Sequence, residues 1–420
     1  MELNLDQLFT LAGAVTVDKR YQFAGREDLL KKSYDHLTIP GSAVVLFGER
    51  GVGKTSLGWQ LYAGMSGNRS IFEERNISVT SKHNVSYRCV WLTCTDFIQT
   101  MSDLTLALLT DTGSYSLSNI FPDVFGSASE LDRVSQTYKW KLGSRTPHTG
   151  KPTHEPEEKG LQPSTDELAA FLTLEDLLGK AIHKGPQGSE LIIFLDEFDQ
   201  VRESTRVGVL MKALNNVKFV VIGVAQSRAN LIGQHPSIVR KMNAYEVPLL
   251  RQENIDWFFD SLENVGRGAV RFEKSFRVLI ADKSSGFPWL VQQLGYYSAA
   301  AAASQKKGKP NKPVVVDVEH YWAIIADFLN AKLGGDEFDI NSLSEVARKT
   351  LINLANAAKG RRTEDDLIKA LETSLRPYFE KGLQELTKAG LVYRAGKEVR
   401  IKDPLTKVLL SIAISEGRIG

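Results

Sequence analysis

An α/β fold built on a parallel sheet is predicted by three features of this sequence. Apolar runs that do not alternate, Ala43–Phe47, Leu191–Leu195 and Lys218–Val224, read as strands buried on both faces. Helical periods at about Lys54–Met65 and Thr205–Leu214 separate them, and strands that alternate with helices pack as a parallel sheet covered on both sides. A glycine-rich turn directly follows the first run.

Taken in order, Leu5–Leu11 and Asp28–His36 read as short helices flanking a loop that carries Phe23-Ala24-Gly25-Arg26-Glu27. The first strand, the turn and a helix follow. Val85–Leu92 is a second strand and Phe97–Leu109 an amphipathic helix. Proline and charge dominate about 140–165, which reads as a loop. Leu168–His183 returns to a helical period, and Tyr245–Leu249 closes the sheet. After Leu250 the strands are expected to stop: Gln252–Val265, Glu273–Ala281, Trp289–Ala303 and Val318–Leu333 read as helices, with a basic linker at Ser304–Pro313. Ser342–Ala358, Thr363–Leu371 and Leu375–Ala389 read as three more, followed by a hairpin through Leu391–Arg394 and Glu398–Ile401.

Composition narrows the possibilities. A length of 420 residues allows two or three domains at roughly 100–200 residues each. A net charge of +2 provides no global field toward nucleic acid or membrane, so any basic site must be local. Cys89 and Cys94 lie in one strand-like run, roughly 16 Å apart if extended, too far for a disulfide. They read as small buried hydrophobes in a reducing compartment. The start lacks a basic segment, and no apolar run reaches the roughly 18 residues of a membrane span. The expectation is a cytoplasmic protein with no membrane partner.

Two motifs carry chemistry. Gly48-Glu49-Arg50-Gly51-Val52-Gly53-Lys54-Thr55 has the G-x4-G-K-[ST] pattern between a strand and a helix. Glycines let successive backbone N–H groups turn toward a phosphate, and the helix N-terminus, with Ser56 behind it, adds its dipole. Lys54 would neutralise the β- and γ-phosphates and Thr55 would ligate Mg²⁺. The second motif is Asp196-Glu197 at the carboxyl end of Leu191–Leu195, the edge where open α/β sheets bind ligands. Asp196 is assigned to the Mg²⁺ shell and Glu197 to the general base that polarises water, with Asp199 in reserve. The predicted cofactors are ATP and Mg²⁺.

These residues resemble the AAA+/STAND group of P-loop ATPases, in its archaeal-type, initiator-like branch. Phe23-Ala24-Gly25-Arg26-Glu27 is similar to a box ahead of the phosphate loop that packs near adenine, which brings Arg26 into the nucleotide site. Asp196-Glu197-Phe198-Asp199 is similar to the group's D-E-h-D. Gln226 or Ser227, after Phe219–Val224, stands where the group keeps a γ-phosphate sensor. Gly286-Phe287-Pro288 resembles the G-x-P lid motif, with Pro288 toward the base. Arg240, and less well Arg228, stands where an arginine finger reaches a neighbouring subunit's ATP. The chain departs from the group in lacking an Asn sensor and a lid arginine just after Pro288, and Lys54 and Asp196 are separated widely enough for an insertion around 110–165.

The resemblance implies an ATPase core over 1–250, a helical lid over 251–335 and a winged helix over 336–420. Residues 341–420 hold about five more basic than acidic groups, enough for a local patch. Arg376, Lys381, Gln384 and Lys388 would present the third helix to a DNA groove, and Arg394, Lys397, Arg400 and Lys402 the wing. Glu380 and Glu385 share that helix, which suits a protein contact instead. Three functions are therefore expected: a self-assembling ATP switch that engages DNA, of replication-loader, transposition-regulator or defence type; a STAND-type signalling ATPase acting on a protein partner; or a simple housekeeping NTPase without DNA.

Overall fold

Five strands form one parallel sheet in the order β2-β3-β4-β1-β5: β1 Ala43–Gly48, β2 Ser86–Thr93, β3 Ser189–Asp196, β4 Val217–Val224 and β5 Met242–Glu246. The computed structural model describes residues 4–80, 85–125, 165–184, 189–201, 211, 214, 217–225, 227–232, 242–306, 312–333, 342–357, 360–402 and 404–417. The expected helix at Thr205–Leu214, the basic linker at Ser304–Pro313 and the loop at about 140–165 fall largely or wholly outside them.

The chain divides into two compact units. One comprises Arg26–Gly48 and Lys54–Val247, and the other Met1–Gly25, Glu49–Gly53 and Pro248–Gly420.

The first unit is the sheet with its helices α1 Glu27–Leu37, α2 Lys54–Met65, α3 Met101–Thr110 and α4 Thr165–Lys184. β4 lies between β1 and β3, with Ala43 opposite Phe219 and Leu191 opposite Val217. Val44, Val45, Leu46, Ile192, Ile193, Phe194 and Leu195 are fully buried, about 1.5–3 kcal/mol of transfer free energy for each large side chain. That is why these runs do not alternate. Cys89 and Cys94 are free and buried, and burial pushes both thiols up to about 12, so they are inert.

Helix α2 sits unusually close to the sheet. A Cβ on Gly58 would lie 2.4 Å from Ile222 Cδ1 and 3.0 Å from Trp91. Beside it Trp59 stacks on Trp91 with centroids 4.0 Å apart. Helix α3 starts later than the apolar period suggests. Thr100 caps it with a reciprocal Thr100–Asp103 box, and Phe97 is left outside at 79% exposure.

The second unit is mainly helical: α5 Gln252–Val265, α6 Lys274–Ser284, α7 Pro288–Gln305, α8 Val318–Leu333, α9 Glu345–Ala355, α10 Glu364–Ala370, α11 Phe379–Lys388 and α12 Pro404–Ser415. Strands do not stop at Leu250. β6 Val270–Phe272 and β7 Val314–Val316 pair in parallel, each burying its outer residues and exposing the middle one. Three residues are too few for such alternation to be read. β8 Arg361–Thr363, β9 Val392–Ala395 and β10 Glu398–Ile401 form an antiparallel sheet in the order β8-β10-β9.

The segment expected to be helical from Leu375 opens as a 3-10 turn over Arg376–Tyr378 and becomes α-helix only at Phe379. Pro377 lacks an N–H and disfavours helical dihedrals in the residue before it. Glu385 of α11 accepts from the Ser344 backbone N–H at 2.9 Å and from its hydroxyl at 2.6 Å, fixing α11 to the start of α9. Lys283 of α6 reaches Glu416, just past α12, at 2.9 Å. Among the described residues no helix is long and apolar enough to cross a membrane.

Candidate functional site

The site is assembled at the carboxyl ends of β1, β3 and β4. Gly48, Gly51 and Gly53 have φ of 146°, 80° and 86°, conformations open to glycine, and they turn the chain from β1 into α2. Lys54 and Thr55 occupy the first turn of α2, and Lys54 is buried. With no acid in that turn, the helix dipole and the lysine together make a field for anions.

β3 delivers the acids. Asp196 is its last residue, only 3% exposed, and its Oδ1 accepts from the Thr55 hydroxyl at 3.1 Å. The two motifs, 141 positions apart, therefore meet. Burial pushes the Asp196 carboxyl up to about 6. The adjacent Glu197 charge adds to the rise, while hydrogen bonds from the Glu197 N–H and from Thr55, with the Lys54 charge, oppose it. A carboxylate so costly to ionise suits a divalent cation, and a hydroxyl beside it is the hard-oxygen pair that Mg²⁺ takes from protein when phosphate and water complete its octahedron. Thr55 and Asp196 thus fit the metal, and Lys54 with the N-terminal end of α2 fits the phosphates.

Glu197 is left-handed, with φ 52° and ψ 36°, and starts a 3-10 turn over Phe198–Gln200. Phe198 is fully buried beneath it. Asp199 is committed elsewhere: its Oδ1 accepts the Val224 N–H at 2.7 Å. The sequence made it a reserve base, and this bond to the neighbouring strand was not legible from spacing.

The remaining predicted residues lie in other settings. Arg26 is left-handed at φ 68°, directly before α1, and burial pulls its guanidinium down to about 10 despite the adjacent Glu27 charge. The Ser227 hydroxyl donates to Asn230 Oδ1 at 2.9 Å and so serves its own short helix, Arg228–Ile232. Arg228 opens that helix, with its Nε buried and lacking a hydrogen-bond partner. Pro288 is the first residue of α7, where proline is favoured because its missing N–H is not needed. Gly286 beside it has a packing reason of its own: a Cβ there would lie 2.2 Å from the Leu250 carbonyl oxygen. Gln226 and Arg240 lie outside the described residues.

A parallel sheet in the order β2-β3-β4-β1-β5, with the glycine loop after β1 and the acid pair after β3, is the arrangement of a P-loop nucleotide-binding core. No family model matches the chain, and no curated protein does. Among solved structures it is similar to the Walker-type ATPase paby2304 of Pyrococcus abyssi, at 15% identity and TM-score 0.43, over 96% of this chain and 99% of that one. It is similar to the Aeropyrum pernix ORC1 protein in complex with DNA, at 13% identity and TM-score 0.46, over 94% and 93%. The chain is also similar to the Thermotoga maritima RuvB Holliday junction branch migration motor, at 13% identity and TM-score 0.41, over 92% and 94%.

Proposed function

We propose that this protein is an ATP-hydrolysing molecular switch of AAA+/STAND type, working in the cytoplasm. The observation that carries the proposal is the 3.1 Å hydrogen bond from Thr55 to Asp196, which joins a phosphate-binding loop to an acid pair. Lys54 and the loop N–H groups hold the triphosphate, and Glu197 orients and deprotonates the attacking water. Magnesium, held through Thr55 and Asp196, would neutralise charge on the β- and γ-phosphates. Arg26 and Pro288 are assigned to the base side of the nucleotide, Gln226 or Ser227 to sensing the γ-phosphate, and Arg240 to a finger acting on a neighbouring copy. Two substitutions test the roles. Lys54→Ala removes ATP binding, while Glu197→Gln keeps binding and stops turnover. Turnover at the wild-type rate in Glu197→Gln would remove Glu197 as base.

The C-terminal elements α9, α10, α11 and the β8-β10-β9 sheet support a winged-helix reading, and we assign it to DNA contact through Lys381, Lys388, Lys397 and Lys402, which are exposed. Assembly of ATP-bound copies would bring several such modules together. One observation favours the second reading, in which the module meets a protein. Arg394 is already engaged by Glu364 at 2.9 Å and by Glu380, and Arg400 by Glu398 at 2.8 Å. Arginines so engaged contribute less to a phosphate footprint. A mobility shift on duplex DNA over a salt series separates the readings: binding that weakens steeply with salt supports DNA contact. No binding at low salt, with hydrolysis unchanged by DNA, supports the protein-partner switch.

A further inference from the structure

We propose that Asp199 is the positioning residue of the proposed ATPase site, holding the Glu197 turn in register with the glycine loop through the end of β4. The inference rests on the hydrolytic reading above. β3 and β4 stay paired only as far as Leu195 opposite Val221. β4 runs on to Val224, whose N–H therefore lacks a β3 partner and would be left unpaired. Asp199 Oδ1 accepts it at 2.7 Å, a short bond of the kind a carboxylate makes. On the other side, Val224 sits opposite Gly48, the first residue of the loop, and the Ala225 N–H donates to the Gly48 carbonyl at 3.3 Å. The acid turn and the phosphate loop are thus connected through two residues of β4.

Two further observations show that the link is built. Gly223 precedes Val224, and a Cβ there would lie 3.0 Å from Asp199 Oδ1, 3.1 Å from its backbone nitrogen and 2.7 Å from Leu231 Cδ1. A side chain there would crowd Asp199, so glycine leaves it room. Glu197 meanwhile adopts a left-handed conformation that a glutamate does not favour and that persists only where its surroundings impose it. Its own turn supplies two hydrogen bonds, Gln200 N–H to the Glu197 carbonyl at 3.0 Å and Val201 N–H to the Phe198 carbonyl at 3.1 Å. Asp199, inside that turn, fastens it to the end of β4, while on the β2 side the Cys94 N–H holds the Asp196 carbonyl at 2.8 Å.

The test uses the full chain: steady-state ATP hydrolysis, affinity for a fluorescent ATP analogue with magnesium, and melting temperature. Asp199→Ala should lower kcat by about 10- to 100-fold, with analogue affinity changed less than about threefold, because a displacement near 1 Å is enough to disable a positioned base. Asp199→Asn should retain most of the activity, since its amide oxygen can accept the same N–H. If Asp199→Asn loses as much as Asp199→Ala, the carboxylate itself is required and the positioning role is overturned. Wild-type kcat in Asp199→Ala overturns it as well. Should Asp199→Ala fail to fold, Gly223→Ala, which crowds the carboxylate, should show the same kcat-selective loss, and full activity there overturns the role. Wild-type hydrolysis that Lys54→Ala does not abolish would instead overturn the reading of the site, and this role with it.

Discussion

Asp196→Asn should make the nucleotide-free protein more stable while destroying its use of magnesium. Folding lifts the Asp196 carboxyl from 3.8 to about 6, chiefly by burial. A carboxyl whose folded-state pKa is raised binds its proton more tightly in the native state. Its favourable contribution is complete below the unfolded value and is lost as pH rises through the folded one. Above about pH 6 the folded protein therefore carries a penalty of roughly 3 kcal/mol for an ionised buried group. Asparagine cannot ionise, and its Oδ1 still accepts from Thr55. In urea denaturation without nucleotide or metal, the variant's advantage should grow by about 2 kcal/mol between about pH 4.5 and pH 7.5. A variant that is less stable than wild type at about pH 7.5, or whose advantage does not depend on pH, would refute the argument that burial of this charge is only partly offset by its hydrogen bonds and by Lys54 until a cation arrives.

Three further outcomes follow from packing and hydrogen bonding. Gly58→Ala should cost about 1–3 kcal/mol in chemical denaturation, because the methyl would meet Ile222 and Trp91 at the face where α2 lies on the sheet. Gly286→Ala should cost at least about as much, since it combines a positive φ with a Cβ only 2.2 Å from the Leu250 backbone carbonyl oxygen. Glu385→Ala should lower stability by about 1–3 kcal/mol, because the Ser344 N–H and hydroxyl lose their shared acceptor.

What was legible in the sequence, and what was not, has a physical pattern. The central strands declared themselves because burial on both faces forces unbroken apolar runs, as in Leu191–Leu195. The glycine loop was legible because left-handed turns next to phosphate demand glycine at fixed offsets. Long-range complements were not. Nothing in the spacing of Asp199 shows that β3 ends early and leaves the Val224 N–H to it, and nothing local shows that Glu385 serves the Ser344 cap rather than a groove. Gly286 has a positive φ beside Leu250, a packing reason that a motif reading does not need and cannot separate from a nucleotide role. The β6–β7 pair is not legible because three-residue strands carry no period, and α11 starts later than its period suggests because Pro377 disfavours helical dihedrals in the residue before it.

The most direct measurement of the central claim is equilibrium binding of a fluorescent ATP analogue, with and without magnesium, to wild type, Lys54→Ala and Glu197→Gln. Magnesium-dependent binding to wild type and Glu197→Gln, none to Lys54→Ala, and hydrolysis by wild type alone are expected. Equal binding by wild type and Lys54→Ala, or no binding by either, would contradict that claim.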